Sequence, residues 1–165
     1  MITDLPSRIQ RLLVAQPLLN ASREYLEPYR LGKLEGCLLW YGYVLDEGNC
    51  IVTTCVRPPQ TNRPRSYSIS AEGMRTVRHA VRPFGLLLLV QIHTHPVEAF
   101  FSEWDEQNAL NKAPGALNMI LPDYGSAPWI DTNRFCVVEN DGAENWRPWE
   151  ADDWKRLEIL PAGVG

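Results

Sequence analysis

Apolar positions along the chain fall into short runs separated by polar turns, and most of the runs have the length of strands. Leu34 to Leu45 and Ile51 to Val56 are rich in Leu, Tyr and Val and flank Asp46-Glu47-Gly48-Asn49, the pattern of two strands around a hairpin-like turn. Leu86 to Ile92 is continuously apolar and predicts a buried strand. Ala116 to Leu121 and Arg134 to Glu139 predict two more, the latter ending in an Asn140-Asp141-Gly142 turn, and Tyr67 with Ile69 marks a short one. Helical spacing is carried by Ile9, Leu12, Leu13, Gln16 and Leu19, which predicts a helix over residues 6 to 20 with Pro6 in its first turn. Pro17 interrupts or kinks that helix, and a second helical piece is expected from Asn20 to Tyr29. A helix covering the sheet is the more common outcome for such a stretch, although an amphipathic partner surface fits the same pattern. Ser70 caps a predicted helix through Val81, with Met74, Val77 and Val81 on one face and His79 as an ordinary helix residue. Glu103 to Lys112 predicts a third, stopped by Ala113-Pro114-Gly115.

Two stretches read as loops. Arg57 to Arg65 holds three prolines and three arginines, which suits either a grip on an acidic surface or extended tail, or a solvated connector. Pro122 to Asn133, with Tyr124, Gly125, Pro128 and Trp129, is the other. Trp146, Trp149 and Trp154 near the end of the chain predict core packing, or a partner surface if exposed.

With 165 residues, 45% of them hydrophobic and 22% charged, the chain is expected to form one domain with a real core. We divide it into a helical N-terminal segment, 1–30, and a core, 34–140. A net charge of −4 removes any electrostatic case for nucleic acid. The N-terminus lacks the basic and apolar regions of a signal peptide, and no apolar run approaches the roughly 20 residues of a membrane span. The expected location is cytoplasmic. Cys37, Cys50, Cys55 and Cys136 show no C-x-x-C spacing and sit in strand-like settings, where free cysteine behaves as a small buried hydrophobe. Reduced thiols are expected over a disulfide involving Cys37, and none is expected to act as a nucleophile.

The chemistry concentrates between Val90 and Asp105. Period two places His93 and His95 on one face at the end of the buried strand, and Pro96 turns the chain away from the ladder. Two imidazoles met by Asp105 at the start of a helix form an N/N/O set, which zinc accepts with a fourth position open. The bland alternatives are real ones. A lone H-x-H is weak, and Ser102-Glu103-Trp104-Asp105 is also a capping box, with Ser102 at the N-cap and Asp105 at N3. Capping and ligation are compatible, because a fixed helix start aims a carboxylate.

His93-Thr94-His95-Pro96 followed by Ser102-Glu103-Trp104-Asp105 resembles the JAMM (MPN+, JAB) metalloprotease signature, H-[S/T]-H-P then S-x-x-D, with a His95–Ser102 spacer one residue shorter than usual. That family also has an upstream glutamate entering a strand, and Glu35-Gly36-Cys37-Leu38-Leu39-Trp40-Tyr41-Gly42 is similar to that segment. The resemblance spans Glu35 to about Gly125. It implies an α+β, cytidine-deaminase-like MPN fold, a curved and mostly antiparallel sheet flanked by helices. It also implies one Zn2+ on His93, His95 and Asp105, Glu35 as general acid–base, and Ser102 as hydrogen-bond donor to the oxyanion. The implied substrate is an amide after the C-terminal glycine of a ubiquitin-like protein, removed from conjugates or processed from a precursor. By resemblance to small bacterial members, E1-like and E2-like proteins are the expected partners, in a conjugation system often tied to phage defence. The two loops are the expected walls of a channel for a thin tail. A processing protease for a sulfur carrier protein, a non-catalytic MPN scaffold and a RadC-type relative are the alternatives. The filled ligand positions disfavour the scaffold, and the acidic balance disfavours the RadC type.

Overall fold

A computed structural model describes residues 4–129, 132–143 and 145–163. The described chain is a mixed α+β fold built on one curled, half-barrel sheet with few helices around it. The strands are β1 (Arg11–Ala15), β2 (Cys37–Val44), β3 (Asn49–Val56), β4 (Thr61–Arg63), β5 (Ser66–Ser68), β6 (Leu87–Thr94), β7 (Leu117–Leu121), β8 (Cys136–Asn140), β9 (Trp146–Pro148) and β10 (Leu157–Leu160). The helices are α1 (Gln16–Gly32), α2 (Ala71–Val81) and α3 (Glu103–Gln107). Eight strands form the main sheet in the order β10-β1-β3-β2-β6-β7-β8-β9, while β4 and β5 make a separate hairpin. β1 runs parallel to both β10 and β3, β6 runs parallel to β7, and the remaining neighbours are antiparallel.

Alternation along β2 sorts the core into two layers. Leu38 and Trp40 face a large cluster that includes Leu19 and Leu26 of α1, Ile92, Met119, Trp129 and Trp149. Cys37, Leu39 and Tyr41 face the other way, onto Met74, Val77 and Val81 of α2. The predicted face of α2 is therefore the buried one, and Ser70 Oγ accepts from Gly73 N at its start. Trp149 is buried and meets Trp154 edge-on at 5.4 Å, so these tryptophans pack inward. All four cysteines are free thiols. Among the described residues no helix is long and apolar enough to cross a membrane.

Three expectations are corrected. The stretch predicted as a helix over 6–20 is split, with Arg11–Ala15 forming β1 between β3 and β10. Leu12 and Val14 are fully buried in alternation, and sheet partners on both sides outweigh the helical reading of the same leucines. Pro17 does not kink a helix. It lies in the first turn of α1, where its missing N–H has no partner to lose, and one continuous helix replaces the two expected pieces. α3 ends at Gln107 instead of Lys112 because Leu110 N donates to Gln91 Oε1 (2.8 Å) and Asn111 Nδ2 to Leu88 O (2.9 Å). These bonds tie the chain to β6 in place of a further helical turn. Strands from outside 34–140, β1, β9 and β10, also join the main sheet.

Candidate metal centre

The site lies where β6 leaves the sheet. Cys37 pairs with His93 across β2 and β6, while β7 runs parallel alongside with His93 opposite Ile120 and Thr94 opposite Leu121. Gln91, His93 and His95 therefore share the α2 side. All three are buried, at 3%, 1% and 6% exposure. Gln91 braces the pair from behind, its Nε2 donating to Tyr67 Oη (2.8 Å) while its Oε1 takes the Leu110 N–H. Thr94, between the histidines, points to the opposite side and ties β6 to the segment before β2. Its Oγ1 accepts from Gly36 N (2.9 Å) and its N–H donates to Gly36 O (3.1 Å).

The same segment carries Glu35. Its N–H donates to Arg63 O (2.9 Å) and its carbonyl accepts from Asn62 Nδ2 (2.7 Å), so the β4–β5 hairpin clamps its backbone on both sides. Gly36 admits α1: a Cβ there would lie 2.4 Å from the Tyr29 ring. Gly42, at the other end of β2, sits at a register shift where a Cβ would come within 1.9 Å of Ile51 O. Glycine at both positions lets neighbouring backbone and ring pack against β2.

Asp105 reaches the histidines from the first turn of α3. Both halves of the capping box are present: Asp105 N donates to Ser102 Oγ (3.2 Å), and Ser102 N donates to Asp105 Oδ2 (2.8 Å). The Ser102 hydroxyl also donates to Asp105 Oδ2 (2.6 Å). Cap and carboxylate orientation are thus one structure, and Ser102 is engaged with Asp105.

His93 Nε2, His95 Nε2 and the Asp105 carboxylate lie within 4.8 Å of one another. The histidine nitrogens are 3.1 Å apart, His93 Nε2 is 3.1 Å from Asp105 Oδ1, and His95 Nε2 is 3.6 Å from Oδ2. Ligand bonds of about 2.0–2.1 Å set tetrahedral edges of about 3.3 Å, so the three separations bracket what zinc requires. Burial keeps the His93 imidazole below its ordinary pKa despite the Asp105 carboxylate beside it, which favours the neutral ring that ligates. Burial alone would raise Asp105, but hydrogen bonds from His93, His95 and Ser102 hold it well below the usual carboxylate range. Two nitrogens and an anionic oxygen converging on one buried point are electrostatically complementary to a cation. His93 Nδ1 is buried without a hydrogen-bond partner among the described residues, and the Tyr67 ring lies 5.5 Å from the imidazole. Packing holds that ring. His95 is held edge-on by Phe100 at 4.6 Å.

Glu35, Ser102, His95 and Asp105 line one cavity of about 180 Å3 together with Arg65, Pro96, Phe100 and Trp104. Burial pushes the Glu35 carboxyl up to about 7; the Asp105 charge adds to this, while His95 and Arg65 oppose it. The structure therefore brings together all five residues singled out in the sequence. His79 stands apart on the exposed face of α2. The two expected walls also meet beside the site, since Tyr124 Oη donates to Pro64 O (3.1 Å). Sequence reading gave no role to Thr94, Gln91 or Phe100, whereas Arg65 belongs to the arginine-bearing loop expected as a channel wall. Gln91 carried a signal, being two residues before His93 on the same strand face. Phe100 carried none, because loop conformation alone brings it here.

No family model matches the chain. It is similar to two proteins known from solution structures, and both likenesses concern the fold. One, from Desulfitobacterium hafniense, superposes with a TM-score of 0.63 at 13% identity, covering 93% of this chain and 94% of that one. The other, from Salinibacter ruber, superposes with a TM-score of 0.56 at 21% identity, covering 83% and 88% respectively. In sequence the chain is 29% identical over 115 residues, 68% of its length, to a curated relative from Sinorhizobium fredii, of which 70% is covered and which bears the name probable metalloprotease y4jG.

Proposed function

We propose that the protein is a zinc-dependent peptidase of the JAMM/MPN+ type, hydrolysing an amide bond after the C-terminal glycine of a ubiquitin-like protein. The observation that carries this reading is the convergence of His93, His95 and Asp105 at tetrahedral ligand spacing, with His95 and Asp105 lining one small cavity together with Glu35. The name of the Sinorhizobium fredii relative supports a metalloprotease in general. The ubiquitin-like substrate, and E1-like or E2-like partners, come from the sequence resemblance.

Zinc bound on the three ligands supplies a Lewis acid and lowers the pKa of a water from 15.7 to about 7. The remaining chemistry belongs to the chain. Glu35, with a carboxyl near neutrality, takes the proton of the attacking water and returns it to the departing amine. Ser102 keeps Asp105 oriented through its hydroxyl and its N–H, and in the proposed cycle its hydroxyl turns to donate to the carbonyl oxygen as negative charge builds there. Phe100, Trp104 and Pro96 wall the cavity with apolar surface, which lowers the local dielectric around these groups.

The test is metal analysis joined to cleavage. Purified protein should carry about one zinc per chain. His93→Ala and His95→Ala should abolish both metal and cleavage of a linear ubiquitin-like fusion, while His79→Ala should keep both. Absence of zinc after gentle purification, with none taken up on titration, would overturn the metal centre. Zinc without cleavage of any glycine-ended fusion would overturn the substrate.

A further inference from the structure

At the other end of β6 from the histidines, a largely apolar cavity of about 450 Å3 lies between the sheet and α2. Met74 and Val81 of α2, Leu86, Leu87 and Leu88 around the start of β6, and Leu110 after α3 make its wall. At about 3.3 Å per residue, Leu88 lies roughly 16 Å along the strand from His93. None of Glu35, His93, His95, Ser102 and Asp105 lines this space. It sits where β2 shifts register against both of its neighbours. Trp40 pairs with Val90 but Tyr41 with Leu88, and Tyr41 pairs with Thr54 but Gly42 with Val52. Such irregularities bend and twist a strand, and the cavity opens beside them.

Polar groups converge at one place in it. Arg78 and Arg82, one turn apart on the same side of α2, both line the cavity. Neither forms an ion pair among the described residues, and no carboxylate lines the space. Tyr41 is 4% exposed, yet among the described residues its hydroxyl makes no hydrogen bond. Burial raises the pKa of that phenol and the Arg78 charge opposes the rise, so the two groups are near one another. A buried neutral donor without an acceptor, beside unpaired guanidiniums, is complementary to an anion. The carbonyl end of α2 disfavours negative charge, so side chains and not the helix must hold it.

The remaining wall decides what the anion is attached to. Asn111, the other polar side chain there, is already engaged, its Nδ2 donating to Leu88 O (2.9 Å) and its Oδ1 accepting from Ala113 N (3.0 Å). Leu87 and Leu88 pair with β2 on one side, and Asn111 takes Leu88 O. An extended peptide would bury amides with little to pair with, whereas a hydrocarbon chain needs no partner. A mostly apolar cavity of this volume with a few convergent polar groups has the form of a small-molecule site.

We propose that this cavity binds an amphipathic monocarboxylate, its acyl chain lying against Met74, Val81 and Leu86 to Leu88 and its carboxylate between the Tyr41 hydroxyl and the guanidiniums of Arg78 and Arg82. A carboxylate has an oxygen for the phenol and another for a guanidinium. The site is independent of the peptidase reading, since it shares no residue with the metal centre.

The test is NMR titration of the protein with decanoate, 1-decanol and acetate at neutral pH, below micelle-forming concentrations, with and without zinc. Decanoate should saturate and move the amide signals of Leu87, Leu88 and Leu110. Decanol should bind about ten-fold more weakly or worse, and acetate not measurably. Arg78→Gln should bring decanoate down to the affinity of decanol, while Arg78→Lys should retain part of the difference. Tyr41→Phe should weaken decanoate by about three- to ten-fold. Val81→Phe, which fills the cavity, should block both ligands while thermal melts show it folded. Zinc should leave the affinity unchanged; binding that requires zinc and moves the His93 and His95 signals would place the carboxylate on the metal and overturn the site. Equal binding of decanoate and decanol, a preference for decanoate that survives Arg78→Gln, or no saturation would also overturn it. Tighter binding of the peptide acetyl-Leu-Leu-Glu-NH2 at the same residues would overturn the acyl ligand in favour of a protein partner.

Discussion

Glu35 combines a buried carboxyl with a clamped backbone, and that combination distinguishes it from the three ligand residues. Its carboxyl is pushed up to about 7, first by burial and then by the Asp105 charge. A divalent cation on the ligands would lower that value, so the acid limb of kcat/KM should lie at or below pH 7 and vanish in Glu35→Gln. That variant should keep zinc and fold while losing about 10²–10⁴-fold in turnover. A variant cleaving at the wild-type rate would show that another group moves the proton. Ser102 has a different signature, because its hydroxyl and N–H both hold Asp105 Oδ2. Ser102→Ala should weaken zinc binding by about 10–100-fold, measured by competition with a chelator, besides slowing cleavage. Unchanged zinc affinity would confine Ser102 to the oxyanion.

At the scale of elements, the site is assembled by contacts between strand ends and the start of a five-residue helix. α3 is too short to stand on its own. Its capping box, and the anchoring of Leu110 and Asn111 to β6, define where it begins and ends. On the other side, Thr94 and Gly36 lock β6 to the entry of β2, and α1 packs its Tyr29 ring where a Gly36 side chain would stand. Gly36→Ala should therefore push α1 away and destabilise the fold by about 1–3 kcal/mol. Combining it with Tyr29→Ala should recover part of that loss in a double-mutant cycle of denaturant melts. Strictly additive losses would mean that the ring is not what the new methyl group meets.

Across the whole molecule, an ionic network centred on the buried Arg156, Glu139 and Asp153 joins residues near the two ends of the chain. Arg156 pairs with Glu139 of β8 (3.0 Å) and with Asp153 (3.2 Å). Arg147 of β9 reaches the same two carboxylates, and Arg8 adds a bridge to Asp153 (3.0 Å). Arg156 also donates to Ile9 O. Glu139→Ala leaves the buried Arg156 without its main partner and should cost about 3–5 kcal/mol of stability. Hydrogen bonding from Arg147 holds the Asp153 carboxyl well below its ordinary value of 3.8, against the opposing effect of burial. A depressed carboxyl contributes stability that is full above its unfolded pKa and fades as pH falls towards the folded one. Thermal melts of the metal-free protein should thus drop below about pH 4, more shallowly in Asp153→Asn. Parallel profiles for the two proteins would remove Asp153 from that account.

The residues of the candidate site were legible because their spacing is local. His93 and His95 share a strand face by period two, and Ser102 with Asp105 forms a cap by helix geometry; each relation is settled within a few residues of chain. The main strands and α2 were legible for the same reason, through alternation in β2 and β3 and the three-four spacing of Met74, Val77 and Val81. Glu35 was visible only through its family-like setting, since nothing in an isolated carboxylate before a strand tells of a metal. The tertiary structure alone decided the rest. It made a strand of Arg11–Ala15, because two parallel neighbours distant in sequence bury Leu12 and Val14. It cut α3 short through bonds to β6, and it brought Arg65 and Phe100 together beside Glu35 and set Tyr124 against Pro64. Local sequence specifies how nearby residues project from one element; which distant elements come to lie against it is decided by burial and hydrogen bonding across the folded chain.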